Sequence, residues 1–140
     1  MVIVGFNITK IEASRKGGIK GQVKINNNVS IEKVEPQKLN LGKAEQQGIR
    51  FDFTYSTDYE PGIGSVVMKG HTVTIEEETR LKEILDGWKK DKKLPNEVMN
   101  PILNSVLQRC TIKAIALSQD INLPPPVPMP KVQAQESKKK

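Results

Sequence analysis

The sequence is short of the residues on which enzymes and secreted scaffolds depend. It holds one cysteine, Cys110, and one histidine, His71. A lone cysteine excludes a disulfide framework within the chain. A lone strand histidine, with no carboxylate–histidine cluster at metal-ligand spacing, gives no metal site and no nucleophile–base pair to build on. Aromatic residues are 4% of the chain, a poor basis for a base-stacking platform. No apolar run approaches the roughly 20 residues that span a bilayer. The start, Met1-Val2-Ile3-Val4-Gly5-Phe6, lacks both the basic region and the longer apolar stretch of a signal peptide. The expectation is a cytoplasmic protein with no stable membrane insertion. Glycines 17, 18, 21, 62 and 64 fall outside any strand–loop–helix context with a following lysine, so no phosphate cradle is expected. Catalysis, cofactor and metal are therefore all expected to be absent.

Basic residues are in excess, with a net charge of +6, but the excess is local. Residues 89–93 carry +3 and residues 131–140 carry another +3, so the remainder sums to zero. Two patches of this kind usually serve solubility. Phosphate contact through Lys89, Lys90, Lys92, Lys93, Lys138, Lys139 and Lys140 is the alternative, which would make an RNA- or ribosome-associated accessory protein.

The N-terminal half is strand-like. Val2, Val4, Phe6 and Ile8 alternate, and Ile11 and Ala13 then take the opposite parity, which predicts a bulge near Thr9–Lys10. Arg15-Lys16-Gly17-Gly18 reads as a turn. Ile19, Val23, Ile25, Val29 and Ile31 occupy odd positions among polar even ones, a strand buried on one face. Asn26–Asn28 is expected to bend or interrupt it. Residues 35–48 read as a polar connection with two apolar exceptions, Leu39 and Leu41. Ile49, Phe51, Phe53 and Tyr55 mark a third one-sided strand, Asp58–Gly62 a turn, and residues 63–75 a fourth strand. Tightly joined strands of this kind pair antiparallel. Leu81, Ile84, Leu85 and Trp88 follow at amphipathic-helix spacing.

The last third is the most distinctive. Asn100 and Pro101 suit the cap and first position of a helix. From there Leu103, Leu107, Cys110, Ala114 and Leu117 repeat at three and four, and beyond Thr111 hardly any polar side remains. A helix apolar all round needs cover on more than one side. Residues 121–130 then bring five prolines among Ile121, Leu123, Val127 and Met129, an extended strap. Two readings of the strap stand: a cover for the protein's own core, or the border of a groove for extended apolar peptide. Strands first and helices after give an α+β layer structure, a four-stranded antiparallel sheet with two helices packed on one face. The domain is read as residues 1–130, with 131–140 as a basic disordered tail.

In its order of elements the chain resembles the SecB-type export chaperones, and more closely their archaeal SecB-like relatives. The resemblance runs over residues 2–126 through Phe6-Asn7-Ile8-Thr9-Lys10-Ile11, Val23-Lys24-Ile25, the strand pair around Asp58–Gly62, the helix opened by Pro101, and the exit Asn122-Leu123-Pro124-Pro125. It implies an ATP-independent holdase that keeps unfolded or preprotein polypeptides soluble in apolar grooves. It also implies a homodimer or a dimer of dimers. Bacterial members are acidic and continue into a further helix, whereas this chain is basic and continues into prolines and lysines. On this reading the client surface comprises Ile112, Ile115, Ile121, Leu123, Val127 and Met129, with Leu39 and Leu41 as its rim. A third reading needs no client: the same apolar surface closes a stable dimer.

Overall fold

The structure, a computed structural model, describes residues 2–18, 21–42, 44–128 and 130. Four strands, β1 (Val2–Arg15), β2 (Lys24–Leu41), β3 (Ala44–Glu60) and β4 (Gly64–Ile75), precede two helices, α1 (Glu78–Asp91) and α2 (Asn96–Asp120). The strands form one antiparallel sheet in the order β1-β4-β3-β2. This is the α+β arrangement the sequence predicts.

The sheet is organised around β3. Its alternating Ile49, Phe51, Phe53 and Tyr55 are buried, and the same face continues through Val34 on β2 and Val66 and Met68 on β4. α2 lies on that face through Val98, Ile102, Val106, Cys110 and Ala114. α1 adds Leu81 and Ile84, with Leu85 and Trp88 packed alongside.

The spacing of the buried residues of α2 explains why its sequence looks apolar all round. Val98, Ile102, Val106, Cys110, Ala114 and Ser118 recur every four residues. At 3.6 residues per turn each such step rotates the buried line by about 40°. The buried stripe therefore winds around the helix as it tracks a twisted sheet. Much of the apparent surplus is one stripe on the move.

Several sequence expectations are corrected. Residues 35–48 are not a connection: β2 runs on to Leu41 and returns at once as β3, through a turn in which Gly42 takes φ +68°. The misreading is physical. β2 is an edge strand, so its far half needs no apolar alternation. Asn26–Asn28 does not break β2 either, since all three residues hold register opposite Asp58, Thr57 and Ser56. The helix does not start at Pro101. It starts at Asn96, with the Val98 and Met99 amides both bonding to the Pro95 carbonyl at 2.9 Å, and Pro101 sits inside it. Burial of Val98 draws the helix start upstream.

The expected bulge is present, as a register shift between Ile8 and Lys10, and a second lies between Ile3 and Gly5. Gly70 faces the first of them, where a Cβ would collide with the Asn7 carbonyl. β1 and β2 lie on opposite edges, so residues 16–23 must cross three strand spacings, roughly 14 Å. Eight residues reach up to about 28 Å, and the crossing is pinned by Lys16 N–H to the Ile63 carbonyl at 2.7 Å.

Candidate polypeptide-binding groove

The strap has a clear job within the fold. Leu123 is 5% exposed and packs with Tyr59 and Ile63, and Ile121 joins that small cluster. A run of prolines offers carbonyls and no N–H groups, so the donors must come from the other side. The Tyr59 hydroxyl donates to the Pro124 carbonyl at 2.5 Å, and Asn27 Nδ2 donates to that of Pro126 at 2.8 Å. Arg15 Nη1 donates to the Asn122 carbonyl at 2.6 Å, where α2 ends. Asn27 Oδ1 in turn accepts from Thr57 Oγ1 at 2.7 Å, and Thr57 Oγ1 lies 2.9 Å from Tyr55 Oη. The strap thus lies over the chain's own sheet along a satisfied polar seam.

The residues read as client-binding are scattered. Ile112 points to solvent at 71% exposure, Ile115 and Val127 are half-buried, and Leu123 is enclosed. Met129 and Lys138–Lys140 lie outside the described residues. Leu39, opposite Gln46 on β2, is out of phase with Val34 and joins neither apolar cluster. Leu41 pairs with Ala44 at the same hairpin. That hairpin is the opposite end of β3 from Tyr59, on the order of 50 Å away at about 3.3 Å per residue. Leu39 and Leu41 are thus far from Ile121 and Leu123, which share one cluster.

A different set does converge. Val29, Ser30 and Ile31 of β2, Trp88 near the end of α1, Leu94 in the turn, and Asn96, Met99 and Leu103 of α2 line a groove of about 410 Å³, with Lys92 and Lys93 at its lip. The volume is that of an ordinary ligand cleft, roughly 300–1,000 Å³. Each element contributes for a reason visible in the chain. α1 stops at Lys92, whose φ of 58° turns the chain left-handed. Pro95 then keeps the next helix from starting sooner, so Leu94 is left on the wall between two helices. Lys92 Nζ sits 5.8 Å from the centroid of the Trp88 ring, a cation–π contact that holds the ammonium over the apolar wall. β2 is the sheet edge here, with β3 on one side only.

The larger depression, about 600 Å³, is lined by Gln46, Ile75, Glu76, Glu77, Arg80, Glu97 and Val98. Five of those seven residues are polar or charged, and Arg80 is spent on ion pairs with Glu83 on its own helix and with Glu97 on α2. Cys110 is fully buried, and burial pushes its thiol up to about 11, away from thiolate chemistry. His71 Nε2 lies 3.3 Å from Asn7 Nδ2, on the sheet face away from α2. Among the described residues no three metal-ligating side chains converge. No helix among the described residues is long and apolar enough to cross a membrane.

The sequence shows Trp88, Leu103, Val29 and Ile31 only as apolar positions of separate elements, and Met99 does not stand out in it at all. Leu94, apolar between a lysine run and a proline, was the one local signal.

No family model and no curated protein matches the chain. Among solved structures, the Mycobacterium tuberculosis Rv1957 SecB-like chaperone in complex with a ChAD peptide from the Rv1956 HigA1 antitoxin matches with a TM-score of 0.56. Identity is 9%, over 94% of this chain and 88% of that one. The likeness is one of architecture: the chain has a SecB-like fold.

Proposed function

We propose that the chain is an ATP-independent holding chaperone, which binds unfolded or preprotein segments in the groove between β2, α1 and α2. The observation that carries this reading is the groove itself. Its walls are apolar, it is open to solvent, and it runs beside an unpaired strand edge. An extended peptide placed there buries side chains against Trp88, Leu94, Met99 and Leu103 while its backbone meets free β2 amides and carbonyls. The usable edge is short. A register shift between Ile31 and Lys33, and then Pro36, interrupt regular pairing beyond the groove. Binding of this kind holds the unfolded chain by mass action and needs no catalytic residue. The peptide-bound state of the structurally similar mycobacterial chaperone supports a polypeptide ligand for this fold.

A second copy of the chain belongs to the same reading, seated on the outer side of α2, where Leu107 and Ile112 are 40% and 71% exposed. The lysines at the α1–α2 turn border the groove and do not form a face of their own, which favours a polypeptide ligand over RNA.

The test is suppression of aggregation of a chemically unfolded client without ATP. Leu94→Asp and Met99→Asp, both on the groove wall and both partly exposed, should abolish suppression while the folded structure persists. Equal activity in the variants would remove the site. Inactivity of the unaltered protein would remove the function.

A further inference from the structure

The groove carries a feature that plain apolar binding does not use. Lys92 and Lys93 line it, Lys89 and Lys90 precede them on the last turn of α1, and residues 89–93 sum to +3 while the chain between positions 1 and 130 is otherwise neutral. We propose that this lysine lip makes the groove selective for extended segments in which an apolar residue is flanked by aspartate or glutamate. This selectivity rests on the holding function and gives its client class.

Three observations carry it. The cations have no counter-ions of their own: no salt bridge among the described residues includes Lys92 or Lys93. Nearby carboxylates are committed elsewhere. Glu97 binds Arg80, Glu35 pairs with Lys33, and Glu32 accepts from Ser30 and Thr54. Asp86 and Asp91 are the exceptions, and they are outnumbered, since residues 86–93 still sum to +2. Finally, Lys92 is held over the Trp88 ring at 5.8 Å, so one charge is fixed beside the apolar wall and does not swing free.

A ligand that fits must offer a side chain to the wall and an anion to the lip within one or two residues. A nucleic acid offers the anion, but the wall has one aromatic ring among Val29, Ile31, Leu94, Met99 and Leu103, and bases find little to stack on. Basic segments are repelled.

The experiment uses three fluorescently labelled peptides with the same apolar centre and aspartate, serine or lysine flanks, titrated by anisotropy with the full chain at low and at physiological salt. The aspartate-flanked peptide should bind about tenfold tighter than the serine-flanked one at low salt, the sum of two exposed ion pairs, with the gap narrowing as salt rises. The lysine-flanked peptide should bind weakest. In the double variant Lys92→Asn, Lys93→Gln the ratio of aspartate-flanked to serine-flanked affinity should fall well below that of the unaltered chain. Asparagine is chosen because it tolerates the left-handed cap. Equal affinity for all three peptides overturns the selectivity and leaves the holding function in place. If none binds, both readings fall, and binding of a mixed-sequence RNA alone would replace them with a nucleic-acid role.

Discussion

Tyr59 reaches from β3 to the carbonyl oxygen of Pro124, 65 residues further along the chain, in a 2.5 Å hydrogen bond that fastens the strap to the sheet. The ring is buried with Ile63 and Leu123, so the bond sits at the edge of a small apolar cluster. Tyr59→Phe keeps the ring, deletes the donor and leaves the Pro124 carbonyl without this partner. We expect a loss of about 1 kcal/mol in urea unfolding and faster proteolysis after Leu123, with groove binding unchanged.

The same hydroxyl gives a pH dependence. Burial, the dominant cause, raises the Tyr59 phenol above its ordinary 10.0. The protonated form is the one the fold favours, so the stabilisation is fully present below the unfolded value and is lost as pH rises through the folded one. The stability gap between the unaltered protein and Tyr59→Phe should be flat through neutral pH and close only in strong alkali. A gap that closes near neutrality would mean that another group holds the strap.

Cys110 reports on the seat of α2. Its thiol is buried and pushed up from 9.0 to about 11, and only the thiolate reacts. Two units of ionisation alone slow modification about 100-fold, because each unit is a factor of ten. At about pH 8 a thiol reagent should therefore label the native protein at least about 100-fold more slowly than the urea-unfolded chain. Equal rates would show α2 lifting from the sheet on the time scale of the reaction.

Ile112 tests association. It is 71% exposed in the single chain, so at concentrations too low for association Ile112→Asp should change unfolding stability by less than about 0.5 kcal/mol. On the proposed reading the unaltered chain sediments as a multiple of 15.6 kDa, and the variant shifts toward the single chain. A single-chain mass for both would leave no second copy on α2.

The elements that bury one face were legible in the chain, and those that rely on position in the sheet were not. β3 announced itself because Ile49, Phe51, Phe53 and Tyr55 alternate against polar neighbours, and a central strand must bury one face along its length. The far half of β2 hid behind Lys38, Asn40 and Pro36, since an edge strand is under no such demand. The strap's destination was open because Tyr59, Asn27 and Arg15 meet it only in three dimensions. The groove was illegible for a related reason. Trp88, Leu94 and Leu103 each satisfy a helix or turn pattern locally, and only the crossing of α1 over β2 shows that Val29 and Ile31 face them across open space.

Trp88 is the only tryptophan in the chain and stands on the groove wall, so its emission reads the central claim directly. Titration with an unfolded apolar peptide should shift Trp88 emission to shorter wavelength, saturably, with the same midpoint as peptide anisotropy. A peptide that binds by anisotropy while Trp88 emission stays unchanged would contradict the account, because the polypeptide would then be held somewhere other than this groove.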